Sequence, residues 1–249
     1  MSAKVEIDST KYLINFEEKT AQILKSKHIG SIIIPRSINF DSQEYVITSL
    51  LERSFSCKVH MHSFDFAVDS EVRTIERNAF EYNNIQSITI PSSLVELKEG
   101  WCNNTPELTK FTISSNNPIY TSYEDKYIIG KSNPTKENYD VLVFASRDIE
   151  TAIIPDFIEI IGPYSFCFCP ILKHIIFPAN SKIRIIEKYA FYFTFIQSMT
   201  IPPQITKLCE YCFAYSTIKN IEISTNSKLK TIEKNAFYKT NIESIFIPS

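Results

Sequence analysis

The sequence predicts an α/β solenoid, curved like a horseshoe, with one parallel sheet of about nine short strands and 3₁₀ or short-helix turns on the other side. Two observations predict it. One phrase, an apolar residue followed five positions later by an aromatic residue, returns along the chain, and a short β-branched run follows each copy. Successive runs lie mostly 22 to 24 residues apart. Because so short a unit cannot bury its apolar face alone, neighbouring units must stack.

The first phrase places one aromatic side chain in every turn of the chain. Cys102 takes the aromatic position in one copy, beside Trp101. Large aromatic side chains at regular intervals are usually core, so we expect a short helix or 3₁₀ turn to drive each ring inward from the wall opposite the strands. The copies run from Leu50 to Phe55, Ile75 to Phe80, Ile161 to Phe166, Ile186 to Phe191, Leu208 to Phe213 and Ile232 to Phe237.

The second phrase supplies the strands. Its inward and outward alternation is typical of a β-strand, so the second and fourth residues of each run are expected in the core and the third outside. All runs are expected to pair in parallel and in sequence order. They are SIIIP (31–35), SFDFA (63–67), SITIP (87–91), KFTIS (110–114), TAIIP (151–155), HIIFP (174–178), SMTIP (198–202), NIEIS (220–224) and SIFIP (244–248).

Two segments depart from the repeat and set the predicted domain organisation. Residues 1–30 form an N-terminal β-hairpin cap, because 11–27 contains two strand-like runs around a polar turn. Residues 31–249 form the solenoid. Residues 115–150 lengthen one turn and hold two strand-like runs, which predicts an inserted hairpin. Insertions in repeat proteins map to loops, often on the binding side.

Composition excludes several function classes. The chain has 249 residues, with 26 Lys and Arg against 28 Asp and Glu, a formal charge of −2. This balance gives no basic footprint for nucleic acid, and no apolar run is long enough for membrane insertion. Charged residues interrupt the first 16 positions, where a signal peptide needs an apolar run. The N-terminus therefore favours a cytoplasmic or cytoskeleton-associated location.

The cysteines do not predict a metal site. Without a secretory signal, six cysteines are expected as free thiols in a reducing compartment. Cys167 and Cys169 lie two repeats from Cys209 and Cys212, which separates the pairs by roughly 10 Å at the usual strand spacing. Ligands of one tetrahedral zinc lie within about 4 Å of each other.

No enzymatic motif survives inspection, so we expect neither catalysis nor a cofactor. Gly130-Lys131-Ser132 suggests a phosphate loop, but Asp125 stands where that loop needs glycine, and Asn133-Pro134 stands where its helix would begin. The histidines near the strands have no carboxylate or cysteine at a catalytic spacing. These are His60, His62 and His174.

The outward third residues of the strands form the first candidate binding surface. Several are apolar although they should face solvent: Ile33, Ile153, Ile176 and Phe246. Ile153 and Ile176 are expected on adjacent strands, beside His174, where they form an apolar patch for a partner. The alternative is that the 115–150 hairpin folds back and covers them. The sequence leaves both open.

A column of aromatic residues follows the marker phenylalanines by two positions. Its members are Tyr82, Phe168, Phe193 and Tyr215. Tyrosine enrichment is typical of recognition surfaces, but stacked repeats also place such rings in contact with each other. The column is therefore either a binding surface or a structural ladder between turns.

The last repeat offers a further surface. No capping unit follows the final strand run, so Ile242, Ile245 and Ile247 are expected to be exposed at an uncapped C-terminal end. We expect such an end to be covered by a second copy of the chain, by a different protein or, if the sequence is a fragment, by residues that follow it.

The two phrases together identify the chain as similar to BspA-like leucine-rich-repeat proteins. The opening residues from Tyr12 to Leu50 also resemble that family, as does Cys169, three positions after Phe166. The resemblance covers nearly the whole chain. It implies a leucine-rich-repeat solenoid that binds protein partners or acts in adhesion, commonly on cell surfaces, and it carries no catalytic residues. The alternative function is an intracellular structural scaffold associated with the cytoskeleton or with a ciliary or flagellar assembly.

Overall fold

The computed structural model describes residues 1–246 and divides into two compact units, residues 1–121 and 122–249. All regular structure in residues 1–246 is β-strand. Accordingly, this part of the chain has no helix with the length and apolar character needed to cross a membrane.

The strands are short and are numbered here in chain order. The first are β1 (Ser2–Ile7), β2 (Thr10–Asn15), β3 (Thr20–Ser26), β4 (Gly30–Ile34), β5 (Ser37–Phe40), β6 (Gln43–Leu50), β7 (Met61–Phe66), β8 (Thr74–Ile75), β9 (Ser87–Ile90), β10 (Glu96–Leu97) and β11 (Lys110–Ile113). The others are β12 (Tyr120–Tyr123), β13 (Tyr127–Gly130), β14 (Val141–Ala145), β15 (Thr151–Ile153), β16 (Ile160–Ile161), β17 (His174–Ile176), β18 (Ile185–Ile186), β19 (Ser198–Ile201), β20 (Lys207–Leu208), β21 (Asn220–Ile223), β22 (Thr231–Ile232) and β23 (Ser244–Phe246).

The N-terminal segment is a three-stranded antiparallel meander: the two strands expected in 11–27 are β2 and β3, and β1 precedes them. β1 pairs with β2 and β2 with β3. Asp8 and Ser9 join the first two strands with φ angles of 44° and 62°, which is the backbone twist that a two-residue hairpin needs. β3 then pairs in parallel with β6, so the meander continues directly into the first stacked sheet.

The nine predicted runs are all strands, but they do not form one sheet. They lie in three parallel sheets, ordered β4-β7-β9-β11, β15-β17 and β19-β21-β23. Within each sheet the predicted register holds, as in Ile153 opposite Ile176. The prediction of one sheet was wrong. Repeat periodicity specifies that each run is a strand, but neighbouring strands form hydrogen bonds only where their backbones lie about 4.8 Å apart.

The prediction of helical turns on the opposite wall was also wrong. Leu50 ends the eight-residue β6, and the apolar residue that begins each later phrase lies in a two-residue strand. These strands stack in parallel, as β16-β18-β20-β22 do in the second unit. The following turns contain two residues with positive φ, for example Tyr189 at 58° and Phe193 at 52°. A right-handed helix or 3₁₀ turn requires successive negative φ angles, so this backbone cannot be helical.

Five of the six marker phenylalanines form the core, as predicted, and Phe237 in the last turn is half-buried against it. Phe55, Phe80, Phe166, Phe191 and Phe213 are fully buried. Consecutive rings stack within each unit, with centroids 5.7 Å apart for Phe55 and Phe80 and 5.2 Å apart for Phe191 and Phe213. Equivalent side chains in stacked turns therefore bury one another.

The inward strand positions are buried or half-buried with one described exception. Ile245 is 43% exposed, which corrects the prediction that all of them are buried. It lies in β23, which pairs only with β21, so no further described strand covers it. Ile247 lies outside the described residues.

The segment 115–150 joins the wall of two-residue strands. β13 and β14 pair antiparallel, with Tyr127 opposite Ala145, and β14 then pairs in parallel with β16. The join is tight at Gly162, where an added Cβ would lie 2.7 Å from the Leu142 carbonyl oxygen. This glycine is needed for the close approach of the two backbones.

Candidate functional site

The outward apolar residues of the strands are exposed to solvent. Ile153 and Ile176 are 56% and 48% exposed, so the inserted hairpin does not cover them and the question left open by the sequence is answered. The two residues lie side by side in β15 and β17. Ile33, on the strand face of the first unit, is 68% exposed.

A groove of about 980 Å³ lies along the strand face of the second unit. Its apolar lining includes Ile176, Phe177, Met199 and Phe246, and hydroxyl and amide side chains lie between them. The inserted hairpin contributes no residue to this lining. The groove therefore brings together Ile176, Phe246 and His174, three of the residues that the sequence analysis selected.

The backbone of the second unit is interrupted at this groove. β15 pairs with β17 and β19 with β21, but β17 and β19 belong to different sheets. His174 N donates to Glu150 O, and Ile154 N donates to Ile176 O, so these residues of β17 direct their peptide groups towards β15. In a parallel strand the backbone N–H and C=O groups of successive residues point to opposite sides. Those of Ile175 therefore point away from β15, into the break.

The groove carries little charge. His174 and Glu222 are the two ionisable residues in its lining, and the Glu222 carboxylate accepts a hydrogen bond from Thr200 Oγ1 at 3.3 Å. Lysine–glutamate pairs precede the strands. Lys173 Nζ lies 2.9 Å from Glu150 Oε1, and this hydrogen bond and charge lower the pKa of the Glu150 carboxyl. Such a lining suits a partner segment of low charge.

The aromatic column forms a structural ladder in the second unit. Phe168 and Phe193 stack with centroids 5.0 Å apart, and Phe193 and Tyr215 with centroids 4.9 Å apart. The faces of these rings pack against each other, so mainly the ring edges are exposed to solvent. Lys239 Nζ lies 5.2 Å from the Tyr215 centroid. Tyr82, the member in the first unit, is exposed.

The sequence analysis missed a second aromatic column. Tyr164, Tyr189 and Tyr211 stack in order, with centroids 4.8 Å and 5.1 Å apart. The signal was present in the sequence, because each tyrosine precedes its marker phenylalanine by two positions. The break between β17 and β19 left no such signal. His174 and Ser198 are as far apart along the chain as Asn220 and Ser244, yet only the second pair is bonded.

The cysteines of the two close pairs are buried thiols. Burial raises the pKa of the Cys209 thiol to about 12, and the Glu187 carboxylate adds to the shift. Burial likewise raises the pKa of Cys212 and of Cys169. In residues 1–246, no three or more His, Cys, Asp and Glu side chains are grouped so that they could hold a metal ion.

The repeat also decides the family. The BspA type Leucine rich repeat region matches residues 12–124 and 140–249, in six copies. The chain belongs to the BspA-type leucine-rich-repeat family. The matched segments include the strand runs and the marker phenylalanines of both units, so the BspA-type repeat accounts for the core and for the strand face on which the groove lies.

Three solved structures are similar to this chain at low sequence identity. A leucine-rich repeat protein from Eubacterium ventriosum is 15% identical with a TM-score of 0.58, over 100% of this chain and 85% of that one. The pneumococcal vaccine antigen PcpA is 13% identical with a TM-score of 0.45, over 97% and 88% of the two chains. A leucine rich cell surface protein from Faecalibacterium prausnitzii is 13% identical with a TM-score of 0.43, over 93% and 94%. No curated protein matches the sequence.

Proposed function

We propose that this BspA-type chain is a non-catalytic protein-interaction or adhesion module and that its partner binds the strand face of the second unit. One observation carries the proposal: the exposed side chains of Ile176 and Phe246 line a groove in which the strand ladder is interrupted. Contiguous exposed apolar surface on a soluble fold is typical of interaction sites.

The chemistry of the groove favours an extended protein segment. Ile176 and Phe246 offer apolar contact, and the hydroxyl and amide groups of Ser198 and Asn220 offer hydrogen bonds at the strand ends. The peptide group of Ile175 adds backbone hydrogen-bonding capacity of the kind that extended peptides use. Since only His174 and Glu222 are ionisable in the lining, we expect apolar and hydroxyl side chains in the partner rather than a charged cluster.

The non-catalytic part of the proposal follows from the same lining. Aliphatic, hydroxyl and amide groups dominate an open groove, and its one carboxylate already accepts a hydrogen bond from Thr200. A general acid–base pair needs two groups within hydrogen-bonding reach of the same substrate atom or proton path. The BspA-type repeat contributes no catalytic motif to these strands.

A displayed library of random extended peptides, selected on the purified chain, tests the proposal. The selected peptides should lose binding to Ile176→Glu, because a carboxylate in the patch must be desolvated on binding. Ile171→Glu is the matched control, since Ile171 is also an exposed isoleucine but lies outside the groove. Peptides that bind wild type and Ile176→Glu equally would exclude the strand face as the binding surface.

We propose a second contact surface, for self-association, on the last described turn. Ile232 and Ile245 are exposed there, whereas the equivalent residues of the preceding turn, Leu208 and Ile221, are buried by the next turn. A second copy that stacks on this face would bury the same side chains. The mass in solution should rise with protein concentration, and Ile245→Lys should shift it towards the monomer. A wild-type protein that stays monomeric at high concentration would rule this contact out.

A further inference from the structure

The column of Tyr164, Tyr189 and Tyr211 has an unusual combination of properties. All three residues hold left-handed φ angles, of 59°, 58° and 57°. Their rings are half-buried rather than enclosed in the core. The interplanar angles are 19° between the first two rings and 7° between the last two, so the rings lie nearly parallel.

Stacking alone does not explain why these residues are tyrosines. In the neighbouring column Phe168 and Phe193 stack at a similar distance without hydroxyl groups. The equivalent turn positions of other turns are occupied by Arg53, Asn78, Gly100 and Asn235, which hold the same left-handed conformation. Asparagine and glycine adopt it at lower cost than tyrosine does. Three successive turns of the second unit therefore carry phenols at a position where the backbone favours other residues. In the next turn Asn235 Nδ2 donates to the Tyr211 hydroxyl at 2.9 Å.

We propose that Tyr189 is an oxidative cross-linking site, which couples to Tyr164 or to Tyr211 when a haem peroxidase and hydrogen peroxide act on the protein. Each phenol loses one electron and its hydroxyl proton, and the two phenoxyl radicals join through ring carbons ortho to oxygen. One C–C bond forms, and the two displaced ring hydrogens move to the oxygens. The pair loses two electrons and two protons in total, and one hydrogen peroxide is reduced to two waters.

The geometry favours this coupling over others in the same cluster. Because successive turns are related almost by translation, equivalent ring carbons of Tyr189 and Tyr211 are separated by about the same distance as their centroids, 5.1 Å. Tyr192 meets Tyr189 at 72°, with the edge of one ring against the face of the other, so equivalent ortho carbons are not aligned. The coupling is intramolecular and the rings are already aligned, so a movement of roughly 2 Å brings the ring carbons to the reacting distance of about 3–3.5 Å.

Burial is the largest cause that raises the pKa of the Tyr189 phenol, and the negative charges of ionised Tyr211 and of Glu210 raise it further. The hydroxyl therefore stays protonated at neutral pH, and an oxidant rather than a base has to start the reaction. The product joins consecutive turns covalently. A link of this kind restricts the unfolded chain and raises thermal stability.

The whole chain treated with a haem peroxidase and hydrogen peroxide provides the test. Dityrosine fluorescence should appear in the monomer, and trypsin digestion should yield linked peptides, because Lys173, Lys188 and Lys207 place the three tyrosines in separate fragments. Fragment spectra should assign the link to Tyr189. In urea the yield of this intramolecular link should fall by about tenfold or more, because the preorganised distance is lost.

Tyr189→Phe keeps the stack, as Phe193 does in the other column, and should abolish the link. Tyr211→Phe should leave only the link from Tyr189 to Tyr164. Tyr139→Phe is the matched control, because Tyr139 lies in the inserted segment and its ring contacts Lys131. This variant should form the Tyr189 link in the same yield as wild type. Thermal melting confirms that each variant is folded. An unchanged yield in Tyr189→Phe, links only between different molecules, or no dityrosine in wild type would each overturn the proposal.

Discussion

The rings of Phe193 and Tyr215 stack with centroids 4.9 Å apart and an interplanar angle of 8°, and both residues hold φ in the left-handed region, at 52° and 57°. The left-handed conformation costs a non-glycine residue free energy, on the order of 1 kcal/mol. An aromatic pair in good geometry contributes about 0.5–1.5 kcal/mol beyond area burial. Phe193 has two such neighbours, so the stacking offsets the strain.

This balance predicts that glycine is a more stable replacement than alanine at Phe193, the reverse of the usual order. Phe193→Ala loses both stacked contacts and keeps the left-handed strain, whereas Phe193→Gly loses the contacts but relieves the strain. We expect both variants to be less stable than wild type, with the glycine variant more stable than the alanine variant by about 0.5–1 kcal/mol. Urea unfolding measures the difference.

Thr200 provides the control for this prediction, because it is an exposed residue of β19 in ordinary strand conformation. There the usual order holds, and Thr200→Gly should be less stable than Thr200→Ala by about 0.5–1 kcal/mol. If alanine is preferred at both sites, the left-handed backbone at Phe193 carries no strain.

The marker phenylalanines should dominate the stability of each unit. Phe80 is fully buried and meets Phe55 and Phe64 at 5.7 Å and 4.7 Å, so Phe80→Ala should cost about 3–5 kcal/mol by leaving a cavity. Thr112 is exposed on β11, and Thr112→Ala should change the free energy of unfolding by less than about 0.5 kcal/mol. Equal losses in thermal or urea unfolding would mean that the inward and outward faces are exchanged.

Tyr127 should make the protein less stable at alkaline pH. Burial raises the pKa of its phenol from 10.0 to about 12, and its hydroxyl donates to the Ile153 carbonyl oxygen at 3.2 Å. Between these two values the unfolded state loses the proton while the folded state keeps it. The free energy of unfolding is therefore undiminished below the lower pKa and falls above it, by up to about 1.4 kcal/mol per pH unit.

Tyr127→Phe removes the ionisable group and should make this alkaline loss smaller, although loss of the hydrogen bond costs about 1 kcal/mol at neutral pH. Tyr120, whose pKa burial also raises to about 12, should contribute in the same direction and independently. Unfolding curves at a series of pH values measure both effects. An unaltered pH dependence in Tyr127→Phe contradicts the assignment.

The cysteines should separate by reactivity. Cys57 is exposed and the other five are buried, and burial together with the raised pKa of Cys209 keeps that thiol protonated at neutral pH. An alkylating agent should therefore modify Cys57 alone in the native protein and all six cysteines after denaturation. Cys57→Ser should abolish the native reaction. Stoichiometric zinc in the purified protein, or fast native modification of Cys209, would contradict this account.

The periodicity of the sequence was sufficient for the nine strands of the β-branched runs, their order within each sheet and the core. Each run alternates, every phrase but the one that ends in Cys102 ends in an aromatic residue, and stacking equivalent positions gives Phe191 against Phe213 without further information. Periodicity was not sufficient for the backbone of the turns. Tyrosine and phenylalanine rarely adopt left-handed φ, so nothing local in Tyr189 or Phe193 indicated a turn instead of a short helix.

The candidate site was predicted only in part, for a related reason. That Ile153 and Ile176 point outward follows from alternation, and the sequence by itself determined it. Whether they meet solvent depended on where the segment 115–150 packs, and that segment pairs with β16 on the other wall. The break between β17 and β19 likewise has no counterpart in the spacing of the runs along the chain. Alternation is a property of each strand's own residues, whereas exposure and ladder continuity depend on contacts between segments distant in sequence, so only the tertiary structure decided them.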